Sequence, residues 1–121
     1  MSTELPAGEH VPDLATIRAA AGRIRSYVHS TPLLSDEVLD AEFGARLIFK
    51  CENLQRGGAF KLRGASNAVF SLPEALASRG VATHSSGNHG AALALAAKLR
   101  GIPAVIVMPE NSSAVKIAAV Q

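Results

Sequence analysis

The 121-residue sequence predicts an α/β fold in which a parallel sheet is flanked by helices. Two stretches are of strand length, Val81–His84 and the apolar residues 104–108, and an alanine-rich helical run over residues 91–100 lies between them. A glycine-bearing turn at 85–90 and Gly101 punctuate that unit, which gives the strand, turn, helix, strand order of a parallel sheet. The composition, 48% hydrophobic and 18% charged, is that of a globular domain with enough apolar surface to bury a modest core.

The remaining elements follow in order. Residues 1–12 read as a loose lead-in. Asp13 is placed to cap a first helix whose apolar positions, Leu14, Ile17, Ala21, Ile24 and Val28, recur at helical spacing. His29-Ser30-Thr31-Pro32 ends it, because proline biases the preceding residue away from helical angles. Ser35 is expected to cap a second helix, with Asp36 and Glu37 at its positive end, Leu34 and Leu39 at the staple positions and Gly44 as terminator. Residues 47–51 read as a strand, followed by a polar loop to Ala59. From Lys61 a helix is expected, since Leu62, Ala65, Val69 and Leu72 share a face, and Pro73 then opens a short helix that Gly80 closes. Residues 113–121 read as a last helix with Val115, Ile117, Ala118 and Val120 as its apolar positions. Its end without a glycine cap or polar tail reads as that of a fragment or truncated product.

Several function classes are disfavoured. The net charge is only +2, the basic residues are scattered and the five aromatics form no stacking platform, so nucleic acid is not an expected partner. Cys51 is the sole cysteine, which rules out an intrachain disulfide and a cysteine-based zinc cluster. His84 and His89 lack companion ligands, so no metal site is expected. Glu4, Pro6 and Glu9 stand where a signal peptide needs basic and then apolar residues, and no run approaches the roughly 20 apolar residues of a membrane span. The expectation is a cytoplasmic chain without a membrane partner.

Two segments have the composition for chemistry. In residues 52–65, ENLQRGGAFKLRGA, glycines precede a lysine that opens a helix, where the dipole disfavours a positive charge. An apolar wall from Phe60 would lower the pKa of such a lysine if buried and make it a better nucleophile or base. Taken alone, the same residues also describe an exposed lysine on a helix edge, with Arg63 solvated or salt-bridged. In residues 83–90, THSSGNHG, Gly87 and Gly90 permit angles that gather backbone N–H groups into an anion-binding nest at a helix start. Asn88 adds a directional amide, and Ser85 and Ser86 add hydroxyls. The alternative is a serine-capped helix start that binds nothing.

Together these segments resemble the fold-type-II pyridoxal-phosphate enzymes (the tryptophan synthase β-like fold), in their serine/threonine dehydratase and serine racemase branch. The resemblance runs from about Ile17 to Gln121 and rests on HSTPL at 29–33, FKCENLQRGGAFKLRGA at 49–65, SSGNHG at 85–90 and GIPAVIVMPENS at 101–112. The branch is indicated by Leu62-Arg63-Gly64-Ala65 after the lysine and by His89 in the serine-glycine-asparagine loop, while Ala59 departs from a common serine.

The resemblance implies the following roles. Lys61 holds pyridoxal 5'-phosphate as a Schiff base and takes the Cα proton. Phe60 flanks the cofactor and Asn88 bonds its 3-hydroxyl. Ser85, Ser86, Gly87, Asn88 and His89 grip the substrate carboxylate, and Ser86 faces Cα opposite the lysine. The implied reaction is dehydration and deamination of L-serine or L-threonine, through an aminoacrylate, to ammonia and a 2-keto acid. The alternatives are a serine racemase using Lys61 and Ser86 as a two-face acid/base pair, and a non-catalytic anion-binding fragment. The resemblance further implies that residues 1–52 begin a larger domain, that 53–121 are an incomplete smaller α/β domain, and that the full-length enzyme is a homo-oligomer. The phosphate cradle and the partner of the pyridine nitrogen would lie beyond position 121, so the chain alone is expected to be inactive.

Overall fold

The computed structural model describes residues 11–121. Most of the lead-in expected over residues 1–12 lies outside the described residues; Val11 and Pro12 are exposed and precede the first helix. In that helix, α1 (Leu14–Ile24), the Asp13 carboxylate accepts a hydrogen bond from the Thr16 N–H at 2.7 Å, the expected cap. The helix stops earlier than its apolar spacing predicts. Residues 25–28 form turns, which bring the Tyr27 ring onto Phe70 in a stack with centroids 3.7 Å apart. Of the predicted apolar face only Ile24 is buried, whereas Leu14 and Ile17 are exposed.

A two-residue strand, β1 (Leu33–Leu34), follows and pairs antiparallel with β2 (Phe49–Lys50), Leu34 opposite Phe49. Between them, α2 (Glu37–Phe43) is capped by Asp36 rather than Ser35, because the Asp36 carboxylate accepts from both the Val38 and Leu39 N–H groups at 3.0 Å. That shift moves the staple positions off Leu34 and Leu39 to Ser35 and Asp40. Gly44 ends α2 as predicted.

The second half forms the parallel unit. After a short 3-10 turn at Glu52–Leu54 come α3 (Lys61–Ser71), α4 (Glu74–Ala77), β3 (Val81–His84), α5 (Asn88–Arg100), β4 (Ala104–Val107) and α6 (Ala114–Ala118). β3 and β4 pair in parallel, Val81 opposite Ala104 through to His84 opposite Val107. They form a two-stranded sheet among the described residues, and Val105 and Val107 remain exposed on it.

The core lies between α3 and α5. Leu62, Ala65 and Val69 of α3 meet Ala92, Leu93 and Ala96 of α5, with Val81, Ile102 and Ile106 packed beside them. The alanines let the two helices approach closely, and burying the larger side chains contributes roughly 1.5–3 kcal/mol each. The carboxyl end of α3 is tied to α5 by Arg100, whose guanidinium donates to the carbonyls of Val69 and Leu72 and pairs with Glu74 at 3.2 Å. On its other side α3 meets α1, where Arg23 bonds Asn67.

Candidate active site

The lysine segment begins at Glu52 and turns through Gly57 and Gly58, both at positive φ (76° and 73°), a conformation other residues rarely adopt. The chain then enters α3 at Lys61. Phe60 occupies the cap position with helical angles and makes no side-chain capping bond, so no side chain caps the first turn of α3. Lys61 is exposed, and its Nζ lies 5.0 Å from the centroid of the Phe60 ring, within cation–π reach. Phe60 is itself 58% exposed, so it flanks the amine without burying it, unlike the desolvating wall anticipated from its position.

Around this helix start stands a polar network that sequence reasoning missed. Arg63 makes a fork on Glu52, Nε to Oε2 and Nη2 to Oε1, both at 2.7 Å. The buried Thr31 hydroxyl donates to the same carboxylate at 2.5 Å, and Lys50 Nζ donates to the Thr31 carbonyl at 2.7 Å. The Arg63 hydrogen bonds hold the Glu52 carboxyl well below its ordinary value of 4.5, at about 2; Thr31 lowers it further. Gln55 is buried and binds His29 in both directions, accepting from its N–H at 2.8 Å and donating to its carbonyl at 2.9 Å. Arg63 Nη2 reaches that carbonyl too, at 3.1 Å. The only signal in the sequence was a pair of opposite charges flanking the lysine within one segment.

The second segment leaves β3 at His84. Ser85 extends the ladder, donating its N–H to the Val107 carbonyl at 3.0 Å, and its hydroxyl folds back to accept from the N–H groups of Gly87 (3.3 Å) and Gly90 (3.2 Å). α5 therefore starts at Asn88, three residues before the expected position. The glycines act otherwise than anticipated. Neither Gly87 nor Gly90 takes a positive φ; Gly87 is extended, at φ −127°. Gly90 is required by proximity, since a Cβ there would stand 2.8 Å from the Ser85 carbonyl oxygen and 3.0 Å from Ile106 Cγ2. The concave turn is thus made by the Ser85 hydroxyl.

Among the described residues, the N–H groups of Ser86, Asn88 and His89 and the Ser86 hydroxyl meet no partner. They gather at the positive end of a 13-residue helix, where an anion is favoured. Ser86 is half-buried; Gly87, Asn88 and His89 are exposed. The packing of α3 on α5 holds the helix that begins at Lys61 against the helix that begins at Asn88, although no hydrogen bond or ion pair joins Lys61 to the turn among the described residues. Nor is any helix there long and apolar enough to cross a membrane.

Comparison with known proteins resolves the resemblance. The profile of the family described as "Pyridoxal-phosphate dependent enzyme" matches residues 24–121. The chain belongs to that family. Its fold is the α/β fold-type-II one, and the family depends on pyridoxal phosphate. The chain is 58% identical over 108 residues to a serine racemase of Oryza sativa subsp. indica, covering 89% of this chain and 32% of that protein. It is 50% identical over 107 residues to a beta-hydroxyaspartate dehydratase of Paracoccus denitrificans, covering 88% of this chain and 34% of the relative. Among solved structures, maize serine racemase superposes with a TM-score of 0.87 at 56% identity, over 92% of this chain and 34% of that one. The chain thus spans about a third of the length of the family members it matches.

Proposed function

We propose that this chain supplies the cofactor-bearing lysine and the substrate-carboxylate grip of a pyridoxal-phosphate enzyme that dehydrates and deaminates a small β-hydroxy amino acid, L-serine or L-threonine. The observation that carries this reading is the division of labour between two adjacent serines. Ser85 is committed to the start of α5, which leaves the Ser86 hydroxyl and the amides of Ser86, Asn88 and His89 free to take an anion.

The residues present suit the cofactor. Lys61 presents an exposed primary amine able to bond an aldehyde carbon with loss of water, and Phe60 offers the flat apolar face beside it. The exposed Asn88 amide would bond the ring hydroxyl. When bound, pyridoxal phosphate supplies the electron sink that lets a proton leave Cα. Lys61 Nζ would take that proton. The amides of residues 86, 88 and 89 hold the substrate carboxylate and so orient Cα toward the lysine. Loss of the β-hydroxyl as water and hydrolysis of the released enamine then yield ammonia and a 2-keto acid.

A second reading, racemisation, is favoured by the unengaged Ser86 hydroxyl, which would have a proton to deliver to Cα, and by the similarity to serine racemases. In the catalytically complete enzyme, the ratio of D-serine to pyruvate formed from L-serine separates the two. For the chain itself, incubation with pyridoxal phosphate, borohydride reduction and peptide mass mapping are expected to place the adduct on Lys61 in preference to Lys50, Lys98 and Lys116. An even distribution over the four lysines would sink the reading that this chain by itself presents Lys61 to the cofactor. The 121 residues alone are expected to form no keto acid from L-serine, and its appearance would overturn that expectation.

A further inference from the structure

We propose that Glu52, Arg63, Thr31 and Gln55 form a positioning device for Lys61, pinning the first turn of α3 to residues 29–31 and so fixing where the Lys61 amine stands. The inference rests on the reading that Lys61 carries the cofactor, and it adds residues which that reading does not use.

The physical need is visible in the chain. α3 starts without a side-chain cap, its first bonds running from the Leu62 and Arg63 N–H groups to the Ala59 and Phe60 carbonyls, and is preceded by two left-handed glycines, Gly57 and Gly58, so the segment bearing the amine has a pliable approach. The network brackets that weak stretch on both sides. Before the glycines, Gln55 clamps the His29 backbone in both directions; after them, Arg63, the third residue of α3, reaches the same His29 carbonyl and forks onto Glu52. Thr31, 5% exposed, adds its hydroxyl to the Glu52 carboxylate. A planar guanidinium fork fixes angle as well as distance, which a lysine in its place does not. Only Leu62 separates Arg63 from Lys61, so a tilt of this turn displaces the amine directly.

The test uses the whole chain and two milder variants, Arg63→Lys and Glu52→Gln, with Thr31→Val as a third that removes only the Thr31 hydroxyl's bonds to Glu52 and Arg63. Borohydride trapping with pyridoxal phosphate gives the ratio of adduct on Lys61 to adduct on Lys98, an exposed lysine of α5 that serves as internal reference. Amide hydrogen exchange is followed at residues 60–66 and at 92–97. The expected result is a fall in the Lys61-to-Lys98 ratio of about tenfold in Arg63→Lys and Glu52→Gln, with faster exchange at 60–66 and unchanged exchange at 92–97. A merely structural pair would loosen α3 and α5 together and leave the ratio among folded molecules unaltered. An unchanged ratio with α5 still protected overturns the proposal. A wild-type chain with no excess of adduct at Lys61 refutes the reading that this chain presents Lys61 to the cofactor, and the proposal falls with it.

Discussion

Gly90 offers a test of whether the turn at 85–90 is built as described. Replacing it by alanine adds a Cβ that would stand 2.8 Å from the Ser85 carbonyl oxygen, 3.0 Å from Ile106 Cγ2 and 3.4 Å from Ser85 Cβ. The first of these is backbone and cannot rotate away, so the start of α5 must lift from β3 and β4. Overpacking of this kind costs about 1–3 kcal/mol, and the gain in helix propensity from glycine to alanine returns at most about 1 kcal/mol. With the full return, the net expectation for Gly90→Ala is a destabilisation of up to about 2 kcal/mol. Gly64→Ala is the control. Gly64 lies inside α3, and an added Cβ there meets nothing within 4 Å, so the same substitution should stabilise the chain by up to about 1 kcal/mol. Urea titrations followed by circular dichroism give both values from the midpoint and slope. A Gly90→Ala chain at least as stable as wild type would refute the close approach of α5 to Ser85 and Ile106. Equal effects at both sites would show that propensity, not space, governs them.

Three further outcomes are expected. Ser85→Ala removes the acceptor for the Gly87 and Gly90 amides and should lower stability by about 1 kcal/mol, whereas Ser86→Ala should stay within about 0.5 kcal/mol of wild type in the same titration. Glu52 contributes stability that is fully present above its ordinary pKa of 4.5 and is lost as pH falls through its folded value of about 2; melting curves of wild type and Glu52→Gln should therefore differ at neutral pH and converge toward pH 2, and a gap that persists there would contradict the ion pair. Arg100→Ala removes the side-chain donor from the Val69 and Leu72 carbonyls, of which Val69 keeps only the Leu72 N–H, and should cost about 1–3 kcal/mol, read as a lowered thermal midpoint with hydrogen exchange quickening first at residues 69–72.

What was legible in the sequence was local. The Asp13 cap, the stops at Gly44 and Gly101, the start of α3 at Lys61 and the β3–α5–β4 order all follow from spacing and punctuation that a neighbouring residue or two can satisfy. What escaped depends on partners distant along the chain. The pairing of Leu33–Leu34 with Phe49–Lys50 needs two strands brought together across α2, and two residues carry no periodicity to read. Gly87 and Gly90 suggested unusual backbone angles, but the reason for Gly90 is a steric neighbour, Ile106, on another element. At the candidate site the lysine, the two serines and the asparagine stood out by residue type and placement. The Arg63–Glu52 fork did not, because nothing in a linear segment says that Gly57 and Gly58 fold it back until its two charges meet.

The short sheets have a practical consequence. With β3 and β4 the whole of a two-stranded ladder among the described residues, each carries an outer row of amide and carbonyl groups open to a further strand. Val105 (60% exposed) and Val107 (53%) stand beside one such edge, and Leu33, Leu34 and Phe49 are likewise uncovered on the antiparallel pair. Such edges are blunted in other proteins by charge or proline, and none of the four residues of β4 is either. Association through these edges is the expected outcome as concentration rises, and sedimentation velocity over a concentration series checks it.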